Sequence, residues 1–223
     1  MDDRWDRREL VSRGETLSYY AMTGIAMSGA FSTFLLACGL PATQPVVVVG
    51  TWSFLILGAI VFTRWLRFQF DNAGAWTDDR LPFSSSDAVW SFFIPFVNLY
   101  RPWQVMDALW KASDPTPLPA AIVAPSARTD VGYRTGPAAS SAHNFSTTSP
   151  VLTWALVYIW APLAVSLLGI FAMFAVSPSV GTQLSTHGAY VSRAIAAVVA
   201  CVMVRRIQQR IAERVRRIEA LQP

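Results

Sequence analysis

Between Pro95 and Pro102 the chain reads PFVNLYRP, and Trp103 and Gln104 follow directly. Proline donates no backbone hydrogen bond and ends helices, so carbonyls near such a pair lose their usual partners. Three polar side chains, Asn98, Arg101 and Gln104, stand at this break among Trp90, Tyr100, Trp103 and Trp110. That combination admits three chemistries. The polar groups can satisfy the freed backbone while the aromatics anchor the segment at a membrane interface. The broken helix can instead expose backbone dipoles to a ligand or ion, as discontinuous helices do in transporters. Or the segment binds a lipid or a partner's helix. A second focus is Arg193, set inside the apolar run Ala189 to Val204. A charge there is costly in hydrocarbon and marks a functional position by default. The four apolar runs of the chain contain no Asp or Glu. Arg193 therefore either snorkels to outer headgroups about one turn away or meets a lipid phosphate or another subunit's carboxylate.

The other reactive side chains form no constellation. Cys38 and Cys201 fall near opposite faces of a membrane, too far apart for the roughly 7 Å limit of a disulfide, and read as packing residues. His143 and His187 have no second His, Cys or acidic cluster at ligand spacing, so no metal site is expected. Asp71, Asp78 and Asp79 lie close in sequence beside Arg80, which reads as a solvated face rather than an acid–base pair. There is no glycine-rich phosphate loop, no Gly-x-Ser-x-Gly elbow and no His-Glu-x-x-His. The expectation is a protein that is not an enzyme, with no identified cofactor, though a lipid, quinone or pigment could lie against the tryptophans.

These residues must be positioned by membrane helices. Of 223 residues 53% are hydrophobic and 14% charged, with mean hydropathy +0.36. That is too little charge to cover a soluble surface. It excludes an ordinary cytosolic enzyme, a charged disordered tail and a nucleic-acid-binding domain, whose cations would cluster against phosphates. A crossing helix needs roughly 20 mostly apolar residues. Leu17 to Leu40, Val46 to Leu66, Val151 to Val176 and the shorter Ala189 to Val204 supply four candidates, the last borrowing length from Ser185 to Gly188 or from the polar stretch beyond it. Lys and Arg are absent from the turn Pro41 to Pro45 and the connection Ser177 to Gly188, and abundant in both termini and the middle region. The excess of positive charge marks the cytoplasmic side, so four crossings with both termini cytoplasmic are expected. Ala88 to Tyr100 is too short and too interrupted to cross. It reads as a helix from Asp87 to Ile94, capped by Ser85, Ser86 or Asp87 and broken at Pro95. A second helix then runs from Pro102 to about Ala112, with Trp103, Met106, Leu109 and Trp110 on one stripe and Asp107 four residues before Lys111. The pair makes a re-entrant or interfacial hairpin on the cytoplasmic side.

The stretch FFIPFVNLYRPWQVMDALWKAS, Phe92 to Ser113, resembles the signature of DUF4328, a bacterial membrane family of unknown function with a Pro-x-x-Asn-Leu-aromatic-Arg-Pro-aromatic-Gln core followed by Leu-Trp. Trp65, Arg67 and Asn72 are similar to the family's Trp-x-Arg and Asn positions, and Val204 to Arg210 to its basic exit from the last helix. Phe68 departs from the alanine expected after Arg67. The resemblance implies a multi-helix membrane domain and no activity.

The chain thus divides into a cytoplasmic segment (1–16), a first membrane half with the hairpin (17–112), a Pro/Ala/Ser-rich linker (113–150), a second membrane half (151–204) and a basic tail helix (205–223). In the tail Val204, Ile207, Ile211, Val215 and Ile218 form a stripe opposite an arginine-rich face that includes Arg205, Arg206 and Arg210. Such a helix can lie on anionic lipid or pair with another helix. The linker cannot bury a core of its own. Gly24 with Ser28, and Ala196 with Ala200, offer small faces for close helix contact. The expected fold is all-α and integral to a bacterial inner membrane, with membrane lipids and other membrane-protein subunits as partners and no nucleic acid. The expected function is a non-catalytic accessory or scaffolding subunit of a larger complex, for example respiratory or photosynthetic, with a small transporter or a lipid- or solute-binding module at the hairpin as the contrasting case. Trp90, Asn98, Tyr100, Arg101, Trp103, Gln104, Arg193, Arg205, Arg206 and Arg210 are the candidate contacts.

Overall fold

In an apolar medium a chain must satisfy its own backbone, and here it does so with helices throughout. The computed structural model describes residues 7–39, 44–73, 81–94, 96–115, 151 and 161–220, and no strand occurs among them. Helix α1 (Arg7–Ala37) contains no proline. Its Thr16, Thr23, Ser32 and Thr33 hydroxyls return to carbonyls one turn back, which removes exposed donors. Helix α2 (Pro45–Asp71) starts with a proline in its first turn, where the missing N–H costs nothing, and closes with the Asn72 amide on the Phe68 carbonyl at 2.8 Å.

Helix α3 (Ser85–Trp90), a 3-10 turn (Val97–Leu99) and α4 (Arg101–Ala112) make up the segment expected as a hairpin, called the hairpin segment below. The cap of α3 is Ser84, one residue before the expected range: its oxygen accepts from the Asp87 amide at 3.1 Å while its hydroxyl donates to the Asp87 carboxylate at 2.8 Å. This reciprocal pair is why the helix begins earlier than a single cap would place it. α3 also ends at Trp90, short of the expected Ile94; Pro95 itself lies outside the described residues. Pro102 sits in the first turn of α4, and Asp107 and Lys111 pair at 2.7 Å as their spacing requires.

Helix α5 (Ala161–Ala175) covers part of the third apolar run, of which 152–160 lie outside the described residues, as do 116–150 of the linker. Helix α6 (Pro178–Ala220) corrects the expected connection Ser177 to Gly188. Ser177 is its cap, accepting from the Val180 amide at 3.3 Å, and Pro178 opens the first turn. The small residues that read as loop composition are packing residues: a side chain at Gly169 would strike Ser185, one at Gly181 would strike the Met173 backbone, and one at Gly188 would strike Val165. α5 and α6 are close antiparallel neighbours through this small face.

Among the described residues α1, α2 and α6 are long and apolar enough to cross a membrane. α1 lies between α2 and α6 and runs antiparallel to both. Gly24 meets Gly58 on α2, and Gly29 meets Ala197 and Ala194 on α6. The main core gathers where Trp65, Leu66, Val105, Met106, Leu109, Met203, Val204, Ile207, Ile211 and Val215 converge, with Ile218 also buried nearby in the helix. The apolar stripe of the tail is thus consumed within the chain, since α6 continues unbroken from the apolar segment and lays that stripe against α1 and the hairpin. Basic residues gather at this same end: Arg7, Arg8 and Arg13 open α1, Arg64 and Arg67 close α2, and Arg205 to Arg217 close α6.

Candidate functional site

At the basic end α2 and α6 are tied by a buried hydrogen bond, Gln69 Nε2 donating to Gln208 Oε1 at 3.0 Å across Gly14. Toward the middle of the bundle they are separated by a half-open cavity of about 310 Å³. Its floor is Ile25 and Ser28 of α1, and one wall is Leu55, Gly58, Ala59, Phe62 and Thr63 of α2. Arg193, Ala196 and Ala197 of α6 form the facing wall, and Phe92, Phe93 and Asn98 of the hairpin close it toward the basic end. Small residues on three helices leave the space, and the hairpin cannot fill it because Phe92 is held edge-on to Phe62, ring centres 5.3 Å apart. Phe96, at φ 64° and ψ −44°, makes the sharp turn that brings Asn98 back toward α2.

Asn98 and Arg193, 95 positions apart in the chain, share this cavity. The expected placement of Arg193 one turn from a helix end does not hold. α6 begins at Pro178, about 22 Å before it at about 1.5 Å per residue. Its neighbour Ala194 packs on Gly29, itself about 12 Å short of the end of α1 at Ala37. Arg193 is half-buried and makes no hydrogen bond or ion pair among the described residues. Among the described residues the side chains of Asn98, Arg101 and Gln104 make no hydrogen bond to a backbone carbonyl.

The remaining candidates divide by surroundings. Trp90 and Tyr100 are exposed, Trp90 edge-on to Phe93 at 6.2 Å. Trp103 packs half-buried on the core. Arg210 lies over the Trp110 ring at 4.2 Å and pairs with Asp114 at 3.3 Å, so its contact is internal rather than with a partner. Beside it Arg214, 5% exposed, donates to the Ala112 carbonyl at 3.0 Å and to the Asp114 carbonyl, filling the open carbonyls at the end of α4. Arg205 borders a shallow groove with Glu15, Ser18 and Arg216, and Arg206 is exposed. Cys201 donates to the Met22 carbonyl at 3.4 Å, and Cys38 lies about 24 Å further along α1; both are free thiols. No cluster of metal-binding side chains occurs among the described residues.

The sequence singled out Asn98 and Arg193 as candidate contacts and Ser28 only as a small packing face, but not Gly58, Ala59, Thr63, Phe92 or Phe93. The available signal was paired small residues, Gly58-Ala59 and Ala196-Ala197, at the middle of otherwise bulky spans. Gly24 does make the close contact its size predicts, whereas Ser28 and Ala196 line the cavity.

Fold and site together define a helical bundle of membrane type with a cavity between its helices. The chain belongs to the family described as Domain of unknown function (DUF4328), whose model matches residues 41–209. The match takes in α2, the hairpin and the cavity-lining part of α6, while the floor on α1 lies outside it. No curated protein and no solved structure matches the chain.

Proposed function

We propose that the chain is a non-catalytic binding module of a bacterial inner membrane, crossing it four times with both termini cytoplasmic and the hairpin re-entering from the cytoplasmic side. The cavity takes a small apolar or amphipathic molecule from the bilayer. The observation that carries this reading is the meeting of Asn98 and Arg193, neither bonded within the chain, in one cavity of about 310 Å³. That volume lies at the small end of ligand sites. The orientation rests on the basic residues at one end of the bundle. Support for the membrane setting comes from the exposed apolar side chains Val49, Trp52 and Ile56 on α2 and Val198 on α6, which would be a liability in water.

The accessory-subunit reading rests on the linker, the hairpin and the tail. The tail's apolar stripe is spent on the chain's own core, which moves the weight to the cavity. The test is purification of the full chain from native membranes in mild detergent, with native mass spectrometry. A small molecule retained by the wild type and lost from the cavity-filling variant Ala196→Phe is the expected result. Stoichiometric recovery with one protein partner, unchanged by Ala196→Phe and without a bound small molecule, would instead establish the subunit reading.

A further inference from the structure

We infer that the occupant of the cavity is an anionic amphiphile, its phosphate or carboxylate head against Arg193 and its alkyl tail leaving between α2 and α6; this rests on the binding-module reading and specifies its ligand. The argument is one of charge. A guanidinium is a fixed cation, and a cation facing an apolar cavity without a partner is strongly disfavoured. Among the described residues no carboxylate pairs with it, and the sequence contains no Asp or Glu from Thr16 to Phe70, from Ala88 to Met106, or from Val131 to Ala212. These stretches include every residue that lines the cavity. The lining therefore supplies no anion, and one from outside the chain completes the site.

Shape supplies the tail. About 310 Å³ is room for roughly ten waters at about 30 Å³ each, too little for a whole lipid. Beyond the cavity the lining side of α2 continues as exposed apolar surface through Trp52 and Ile56. A head at Arg193, aided by the unbonded Asn98 amide, and a tail along these side chains satisfy both parts of the site.

The test places the full chain in nanodiscs of neutral phosphatidylcholine. It is irradiated with three alkyl-diazirine probes: a fatty acid, the fatty alcohol of equal length and a phosphatidic acid. Labelled peptides are mapped. At least one anionic probe is expected to label residues 55–63 or 193–197 at concentrations at least about tenfold below the alcohol, the advantage of a charge-assisted pair in an apolar site. Arg193→Gln should bring acid and alcohol within about twofold of each other, and Arg193→Lys should keep most of the difference. A free acid that labels without phosphatidic acid identifies a fatty acid, and the reverse identifies a phospholipid head. Equal labelling of the cavity by acid and alcohol, unmoved by Arg193→Gln, would overturn the anionic assignment and leave the cavity reading standing. Labelling by no probe in these segments would remove both. So would an Arg193→Gln effect confined to release of a co-purified protein, which would assign the arginine to a partner's carboxylate. If Arg193→Gln fails to fold, the acid-to-alcohol ratio on wild type and on Arg193→Lys decides alone.

Discussion

Helix α6 carries two inward arginines in opposite circumstances. Arg214, at the basic end, is 5% exposed and held by the carbonyls of Ala112 and Asp114, with Arg210 on Trp110 one turn away. Arg193, in the middle of the bundle, faces a cavity and bonds to nothing among the described residues. A guanidinium serves the fold when the fold provides acceptors, and the end of α4 provides them because a helix always leaves its last carbonyls open. At the level of Ser28, Ala59 and Arg193 the three long helices run through without a break, and no carbonyl or carboxylate of a described residue bonds the guanidinium. The same side chain is structural at one level of the helix and receptive at another. What separates the two is whether the fold brings an acceptor to the guanidinium.

The comparison is broken most directly at the basic end. Arg214→Met should lower stability by about 3 kcal/mol, because it strands buried carbonyls as well as losing charged hydrogen bonds. Thermal unfolding of the detergent-solubilised protein would read this, and a loss below about 1 kcal/mol would mean that the end of α4 is hydrated and Arg214 is dispensable. The next effect belongs to the buried amide pair. Gln69→Leu alone should cost about 2 kcal/mol by orphaning Gln208, whereas Gln69→Leu with Gln208→Leu should recover most of that loss. A double-mutant cycle measures it, and additive losses would show that each amide acts without the other.

Much of this division was legible in the sequence, and the illegible part has physical causes. Apolar length announced α1 and α2, and charge placement announced that the basic residues share one end. The Pro-x-x-Asn-Leu-Tyr-Arg-Pro core marked the interruption between α3 and α4. The start of α6 was hidden because PSVGTQLSTHG has the composition of a loop. Its Gly181, Ser185 and Gly188 are small because α5 presses against them, not because the chain turns. The tail's partner stayed open for a related reason: an amphipathic stripe tells that a helix buries one face but not against what. The cavity was least legible. Small residues close together in a span mark either close packing or an unfilled space, and which one depends on whether a neighbouring helix approaches. Gly24 is approached by Gly58, while Ser28 and Ala196 line the cavity with the phenylalanines Phe92 and Phe93.

Stability also sharpens the comparison from the cavity side. In delipidated protein Arg193→Met should raise stability by about 1 kcal/mol, opposite in sign to Arg214→Met, since it removes a charge that the fold leaves without a partner. The wild type should overtake the variant once anionic amphiphile is added, by linkage to binding. A loss on Arg193→Met in the delipidated protein would mean that Arg193 has an internal partner after all.

The smallest effect supplies the reference for the other two. Arg217, on the same helix, pairs with Glu213 at 2.9 Å, but both side chains are nearly half exposed, at 45% and 41%. An exposed pair one turn apart contributes little, because water already solvates both charges and screening weakens their attraction. Arg217→Ala should therefore change stability by less than about 0.5 kcal/mol and should respond to neither salt nor amphiphile beyond that margin. Three arginines of one helix would then give three outcomes, with the order set by what surrounds each guanidinium rather than by its charge. If Arg217→Ala instead cost as much as Arg214→Met, the tail would be held by its net charge, and the contrast drawn between a fulfilled arginine and a receptive one would lose its basis.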